Sequence, residues 1–354
     1  MNLITEQSTI ITTGKAFYNP VMASHRNIAI LLLNSLPHRE MNIADPLAGS
    51  GIRALRMIRE VNKGKIKSIA VNDHHPQFPK IFHENLKRNK IKDENITVGN
   101  EDASLFLLHQ QGFDYIDLDP FGDPNPFLAA AVARISRKGI LAVTATDTAA
   151  LTGTYLNSTK RKYWATSLKN YLMHETGLRI LIRKVQLQGV QFDKALIPIL
   201  SYSKDHYFRA YFKCQKGKSI CDNIIQQHQY LLYCPKCLNF TTSIWNAGKC
   251  GCSAQFLPAG PLWTGKLGDR NLVESLANNN PFPEEQKFLE LLRGEAQVDQ
   301  VGFYDLHVLA RKYKKEPPKM DVALRRLKAV RTHFSLTGIK TEKSLNAVLK
   351  VMKN

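Results

Sequence analysis

The first half of the chain alternates short apolar runs with longer stretches of helical spacing. Met41-Asn42-Ile43-Ala44-Asp45 reads as a buried strand, and Pro46-Leu47-Ala48-Gly49-Ser50-Gly51 as a loop of small residues. Helical spacing follows from Ile52 to Asn62, through Ile52, Leu55 and Ile58. Ile66 to Asn72 is a second strand. Pro76 suits the first turn of a helix running to about Asn89. Ile96-Thr97-Val98 is a third strand, with a helix after Glu101-Asp102-Ala103. Phe113 to Leu118 is a fourth strand, and Gly139 to Thr144 a fifth. Strands alternating with helices indicate βαβ units, right-handed crossovers and a doubly wound parallel sheet. Leu178 to Leu187, Ala195 to Tyr202 and Tyr207 to Lys213 read as three further strands, toward a seven-stranded sheet.

Further along, Asp299 to Lys312 reads as helical. Met320 to His333 reads as an amphipathic helix, with Leu324, Leu327 and Val330 on one face and Arg325, Arg326, Lys328 and Arg331 around it. A boundary near Gly217 divides the chain into residues 1–216 and 217–354. There is no internal repeat and no long low-complexity linker.

The strand ends carry chemistry. In open α/β sheets ligands bind beyond the C-terminal ends of the strands. Asp45 and the glycine loop end the first strand, and glycine lets the backbone approach a ligand. Asp73 ends the second, about 20 residues past the loop, where an acid binds ribose hydroxyls. Asp102-Ala103 follows the third, where a carboxylate could accept from an adenine amine. The loop is not G-x-G-x-x-G and lacks the ending of a phosphate loop, which disfavours dinucleotides and nucleoside triphosphates. An adenosine ligand without pyrophosphate fits, and S-adenosylmethionine is the obvious one. The fourth strand ends in Asp119-Pro120-Phe121. A carboxylate that accepts N–H bonds, a proline that stiffens the backbone and an aromatic face suit one task. They grip a planar base and take a proton from its exocyclic amine.

The 354 residues carry 49 Lys/Arg against 30 Asp/Glu, a net +19. From Arg311 onward, 13 basic residues face 3 acidic ones. The surplus points to a polyanion, nucleic acid first. The apolar fraction of 44% is that of an ordinary globular protein, and no apolar stretch is long enough for a membrane span. The start lacks a basic segment followed by an apolar core, so no secretion signal is expected, and the expected location is the cytoplasm. Cys234-Pro235-Lys236-Cys237 and Cys250-Gly251-Cys252 stand twelve residues apart. In an intracellular chain that favours metal over disulfides, and four thiolates favour structural, tetrahedral zinc. Cys214 and Cys221 lack partner spacing and read as buried thiols.

At this point the chain resembles the tRNA guanine-N2 dimethyltransferases, which methylate guanine 26 using S-adenosylmethionine. The resemblance runs nearly full length. It is carried by Lys15-Ala16-Phe17-Tyr18-Asn19-Pro20-Val21-Met22, Ala48-Gly49-Ser50-Gly51-Ile52-Arg53-Ala54-Leu55-Arg56 and Asp119-Pro120-Phe121-Gly122. Thr144-Ala145-Thr146-Asp147-Thr148-Ala149, His174 to Leu181, Ser201 to Arg209, Ala259 to Trp263 and Gly338 to Thr341 continue it. It implies a class I S-adenosylmethionine-dependent methyltransferase sheet, Rossmann-like, with a C-terminal zinc-bearing, basic, tRNA-binding α/β domain. It implies cofactor contacts at Arg26, Arg53, Asp73, Asp102 and Ala103. The two arginines are odd beside a cationic methyl donor. They would clamp its carboxylate or orient the neighbouring acids. Asp119 would accept the proton, the Pro120 carbonyl would hold the second N–H or support the rotated amine, and Phe121 would stack on a flipped base. Phe17 and Tyr18 are candidates to clamp that base. The partner is tRNA, with no membrane and no evident protein partner.

Three departures stand out. The family has Asn-Arg-Asp at His25-Arg26-Asn27, Thr or Ser at Asp123, and C-x-x-C at Cys250-Gly251-Cys252. Asp123 adds a negative charge near the base. Two other readings stay open: an amino-methyltransferase acting on another RNA base, and an inactive zinc-bearing RNA-binding protein.

Overall fold

The computed structural model describes residues 3–13 and 16–353. Lys15, which begins the first of the family-like blocks, lies outside them. The chain opens with β1 (Leu3–Glu6), β2 (Thr9–Thr12) and α1 (Ala23–Ser35). The alternating half comprises β3 (Met41–Asp45), α2 (Ile52–Glu60), β4 (Ile66–Asn72), α3 (Phe78–Arg88) and β5 (Ile96–Gly99). It continues with α4 (Ala103–His109), β6 (Phe113–Leu118), α5 (Asn125–Arg134) and β7 (Ile135–Ala145). Then come α6 (Thr148–Leu151), α7 (Leu156–Tyr163), α8 (Met173–Val190), β8 (Lys194–Lys204) and β9 (Tyr207–Lys216).

Seven strands form one sheet in the order β5-β4-β3-β6-β7-β9-β8. Five are parallel, with Ala44 of β3 opposite Ala70 of β4 and Ile116 of β6. The sheet is not parallel throughout: β9 runs antiparallel to both β7 and β8. Only Asp205 and His206 join β8 to β9, and a connection that short makes a hairpin, not a crossover.

Leu178 to Leu187 is not a strand. It lies inside α8, and its removal leaves seven strands. Leu178, Ile180, Leu181, Ile182 and Val185 are all fully buried. A helix that buries most of its surface reads like a buried strand, and only its length separates the two. The Glu175–Arg179 pair, one turn apart at 2.9 Å, marks the helical register.

Beyond the sheet lie α9 (Lys218–Gln226), β10 (His228–Tyr233), β11 (Phe240–Ser243), β12 (Leu257–Trp263), α10 (Arg270–Asn278) and α11 (Gln286–Glu295). The end of the chain holds β13 (Tyr304–Asp305), α12 (Leu306–Tyr313), α13 (Met320–Leu327), β14 (Val330–Thr332), β15 (Ser335–Lys340) and α14 (Leu345–Val351). Two small sheets result, β11-β10-β12 and β13-β15-β14. Asp299 to Lys312 is helical only from Leu306, where Asp305 caps the helix by accepting from the His307 and Val308 amides. The helix expected over Met320 to His333 stops at Leu327. Lys328 turns left-handed (φ 48°), and β14 pairs with β15 instead. Strand pairing there outweighs helical spacing, yet Arg325, Arg326, Lys328 and Arg331 all remain exposed.

One apolar core runs from β6, β7 and α8 into the second half through Phe303, Leu309 and Ile339. Another lies on the opposite face around α1 and α2. No helix among the described residues is long and apolar enough to cross a membrane.

Candidate active site

The glycine loop after β3 turns through left-handed Gly49 and Gly51 (φ 57° and 77°). A Cβ on Gly51 would lie 2.3 Å from the Phe82 ring, so only glycine fits. Asp73, at the end of β4, takes the Gly49 amide on one oxygen (2.8 Å) and the His75 amide on the other (2.9 Å). It thereby fixes the loop. Asp102 caps α4, accepting from the Ser104 and Leu105 amides through Oδ1, and is exposed. Ala103 beside it is buried.

Asp45 ends β3 fully buried, and neither carboxylate oxygen has a hydrogen-bond partner. Burial pushes its pKa up to about 7, against the pull of Arg53 and with help from Asp117, Asp119 and Asp73. A buried, partnerless carboxylate beside a glycine loop fits a ligand that brings its own cation. S-adenosylmethionine carries two, an ammonium and a sulfonium.

Asp119 follows β6 and is mostly buried. Its Oδ2 receives the Arg53 Nη2, while Oδ1 has no donor among the described residues. Arg53 also reaches Asp117 (3.3 Å) and His25 Nδ1 (3.0 Å). An arginine cannot accept, so His25 Nδ1 must. The proton of His25 then sits on Nε2, which faces Thr144 Oγ1 at 3.1 Å. Burial holds His25 well below its ordinary pKa, and Arg209, Arg53 and Arg26 add to that. It is therefore neutral.

Asp117 is fully buried and accepts from Tyr115 Oη (2.7 Å) and from Arg209 through both oxygens (3.0 and 2.7 Å). Burial would raise its pKa; Arg209 and Arg53 reverse that and hold it low. The result is an ordered row of charges: Arg209, Asp117, Arg53, Asp119. Two buried cations thus fix the carboxylate that ends β6.

Phe121 is 74% exposed and meets Phe17 edge-on, ring centroids 4.5 Å apart. Gly122 is left-handed (φ 79°) and is held by Thr146, which donates to its carbonyl through its amide and accepts its amide through Oγ1. Phe121 is thus held out of the core. Pro120 is buried, and its carbonyl accepts no hydrogen bond from the described residues. Asp123 shares Lys162 with Asp147, at 2.9 and 2.8 Å, so the extra charge that the sequence placed near the base is paired but only partly offset.

Two expected contact residues have partners within the chain. Tyr18 donates to Glu6 (3.0 Å) beneath the Arg26 guanidinium. Arg26 itself is engaged by Glu6 and the Asn19 carbonyl. Arg53 contacts Asp117, Asp119 and His25, a geometry that suits the second of the two roles open to it. Sequence reasoning singled out neither Asp117, Arg209 nor His25 as site residues. A charge interrupting each of two apolar strands, Asp117 in β6 and Arg209 in β9, was the available signal.

A family model described as N2,N2-dimethylguanosine tRNA methyltransferase matches residues 1–353. The chain belongs to that family. Among its relatives is a tRNA (guanine(26)-N(2)/guanine(27)-N(2))-dimethyltransferase of Aquifex aeolicus (strain VF5). It is 38% identical over 360 residues, spanning 98% of this chain and 91% of the relative. A tRNA (guanine(26)-N(2))-dimethyltransferase of Archaeoglobus fulgidus is 35% identical, spanning 96% of this chain and 95% of the relative. Among solved structures, Trm1 from Pyrococcus horikoshii in complex with S-adenosyl-L-methionine superposes with a TM-score of 0.89. That match has 30% identity and covers 100% of both chains. The family's expected fold and the seven-stranded sheet agree.

The family's cysteine cluster is also formed. The sulfurs of Cys234, Cys237, Cys250 and Cys252 all lie within 4.8 Å of one another. The first pair follows β10 and the second precedes β12, so one small sheet brings them together. The shorter Cys250-Gly251-Cys252 spacing does not prevent this. Four thiolates suit one tetrahedral zinc and would leave no open position, the donor set of a structural site. Cys214 and Cys221 are buried and stand apart from the cluster.

Proposed function

We propose that this protein transfers one or two methyl groups from S-adenosylmethionine to the exocyclic N2 of guanine 26 in tRNA. The observation that carries the reading is Asp119: one oxygen is fixed by buried Arg53, the other is open, and exposed Phe121 stands two residues on. Asp73, Asp102 and Ala103 would line the cofactor site, with Asp45 facing its cationic end. Arg53 would set the acids around it, and Arg26 would support the Glu6 side. When bound, the cofactor supplies a methyl carbon made electrophilic by its sulfonium.

The N2 lone pair is delocalised into the guanine ring, so the amine is a weak nucleophile. Asp119 Oδ1 accepts one N2–H, draws the lone pair toward the methyl and takes the proton as the N–C bond forms; the methyl's bond to sulfur would break with its electron pair left on sulfur as a neutral thioether. The Pro120 carbonyl holds the second N–H. Phe121 stacks on the base, and Phe17 braces Phe121. The base leaves its stack to reach them. Much of the rate comes from holding amine and methyl in line. A second transfer needs the remaining N–H turned to Asp119 and the first methyl turned toward Pro120.

Residues 1–216 act as the catalytic domain. Residues 217–354 bear the zinc and a basic surface that holds tRNA through phosphate contacts. The cytoplasm, where thiols stay reduced and tRNA is found, is the fitting location. Asp119→Ala tests the assignment. Transfer falls by at least about a hundredfold, while S-adenosylmethionine binding, read by calorimetry, changes little. Unchanged turnover in that variant removes Asp119 from the reaction.

A further inference from the structure

Lys184 on α8 is a buried cation without an acid. It is 4% exposed, and among the described residues no carboxylate pairs with it and no group hydrogen-bonds to its ammonium. Its contact is the Trp164 ring, whose centroid lies 3.2 Å from Nζ. The next residue back, Arg183, also lacks a carboxylate. One of its Nη atoms donates to the Trp164 carbonyl at 3.4 Å, and its Nε is buried without a partner. Burial lowers the pKa of both groups, and Arg183 depresses Lys184 further, against a weaker pull from Asp123, which lies outside ion-pair distance. A buried ammonium beside a half-buried guanidinium, neither in contact with a carboxylate among the described residues, is costly unless an anion meets them.

Trp164 covers this pair and is 53% exposed. It ends α7 in the left-handed region (φ 53°), where a residue without a side chain is favoured. The indole therefore presents one face to the Lys184 ammonium and leaves another to solvent. Residues 148 to 174 contain no acid at all, while Lys160, Arg161 and Lys169 are exposed. The nearby acids Asp123 and Asp147 are both taken by Lys162, at 2.9 and 2.8 Å.

That Lys162–Asp123 link ties this patch to the site. Phe121 stands two residues before Asp123, and Trp164 two residues after Lys162. Even at full stretch the two rings are no more than about 35 Å apart, a gap a short run of nucleotides bridges.

We propose that Trp164, Arg183 and Lys184, flanked by Lys160 and Arg161, form a second nucleotide site: the indole, backed by the Lys184 ammonium, stacks on an unpaired base of the bound tRNA, and Arg183, Lys160 and Arg161 take its phosphate. The proposal rests on tRNA being the substrate and extends that reading. Stacking on an aromatic ring accepts any base, so the site adds affinity without reading sequence.

The test is titration of unmodified tRNA into the full-length protein over a range of NaCl, alongside methylation kinetics. Trp164→Ala raises both Kd and KM for tRNA by about tenfold, with S-adenosylmethionine affinity unchanged. Trp164→Phe restores most of the loss. Lys160→Ala and Arg161→Ala each lower the salt slope by about one. Unaltered tRNA Kd and salt slope in all these variants overturn the proposal. Binding needs no turnover, so the two readings fail separately. A wild type that binds tRNA through Trp164 yet makes no methylguanosine sinks the enzyme reading alone.

Discussion

Removing the Arg209 guanidinium should unseat the whole row of charges behind Asp119. Arg209 is fully buried, donates twice to Asp117 and once to Thr144 (2.9 Å), and lies over the Tyr211 ring at 4.4 Å. Arg209→Met keeps most of the packing but strips Asp117 of its main partner. Breaking a buried pair from one side costs about 3–5 kcal/mol. Asp117 still has Tyr115 and Arg53, so the lower end applies, about 3 kcal/mol. For a domain of this size that lowers Tm by roughly 6–12 °C. Asp117→Leu alone strands Arg209 and should cost a similar amount. The double variant Asp117→Leu/Arg209→Met leaves neither charge and should lose only about 1 kcal/mol, far less than the sum. Its methylation should still be lost, because Arg53 no longer bridges Asp117 and Asp119. Urea unfolding of the cofactor-free protein gives the stabilities, and tRNA methylation gives the activity. Single variants that lose under 1 kcal/mol, or a double variant that equals the sum, would refute the reasoning.

Other outcomes follow from the same geometry. The Asp45 carboxyl rises from its ordinary 3.8 to about 7, so the folded chain keeps a proton that the unfolded chain has released. The stability it contributes is full below pH 3.8 and declines as pH rises to about 7, by roughly 4 kcal/mol in all. The advantage of Asp45→Asn over wild type should therefore grow between pH 4 and 7 and level off above, while S-adenosylmethionine binds it more weakly. A difference flat with pH would contradict this. Elemental analysis should find one zinc per chain, lost in Cys252→Ser, and chelation should loosen the β10–β12 sheet to proteolysis. Retention of zinc in that variant would remove Cys252 from the ligand set. Phe121→Ala should cost about 1–3 kcal/mol of base stacking, a five- to 150-fold loss in kcat/KM for tRNA. Phe17→Ala should cost less, since it acts through Phe121.

The strands that carry the site were legible because each is a short apolar run closed by Asp, Gly or Pro. Met41–Asp45, Ile66–Asn72 and Phe113–Leu118 match the expectation to the residue. The misread segment, Leu178 to Leu187, has the same apolar density for a different reason. It is a helix that buries most of its surface, and local pattern cannot tell that from a strand. Val330–Thr332 was misread because its partner, β15, lies beyond a turn. Pairing depends on contacts that helical spacing does not record. In the site, Asp73, Asp102 and Asp119 announced themselves by their place after strands. The Asp117–Arg209 pair spans 92 residues and becomes visible only once β7 sets β9 against β6. The contacts of Arg53 and Tyr18 likewise come from partners outside their own segments, Asp117 and Asp119 for one and Glu6 for the other.

The most direct test of the central claim is to incubate the purified protein with S-adenosylmethionine and unmodified tRNA, then map modified nucleosides by mass spectrometry. N2-methylguanosine and N2,N2-dimethylguanosine at position 26 are the predicted products. A methyl group on another base, or no product from protein that binds both tRNA and cofactor, would contradict the account.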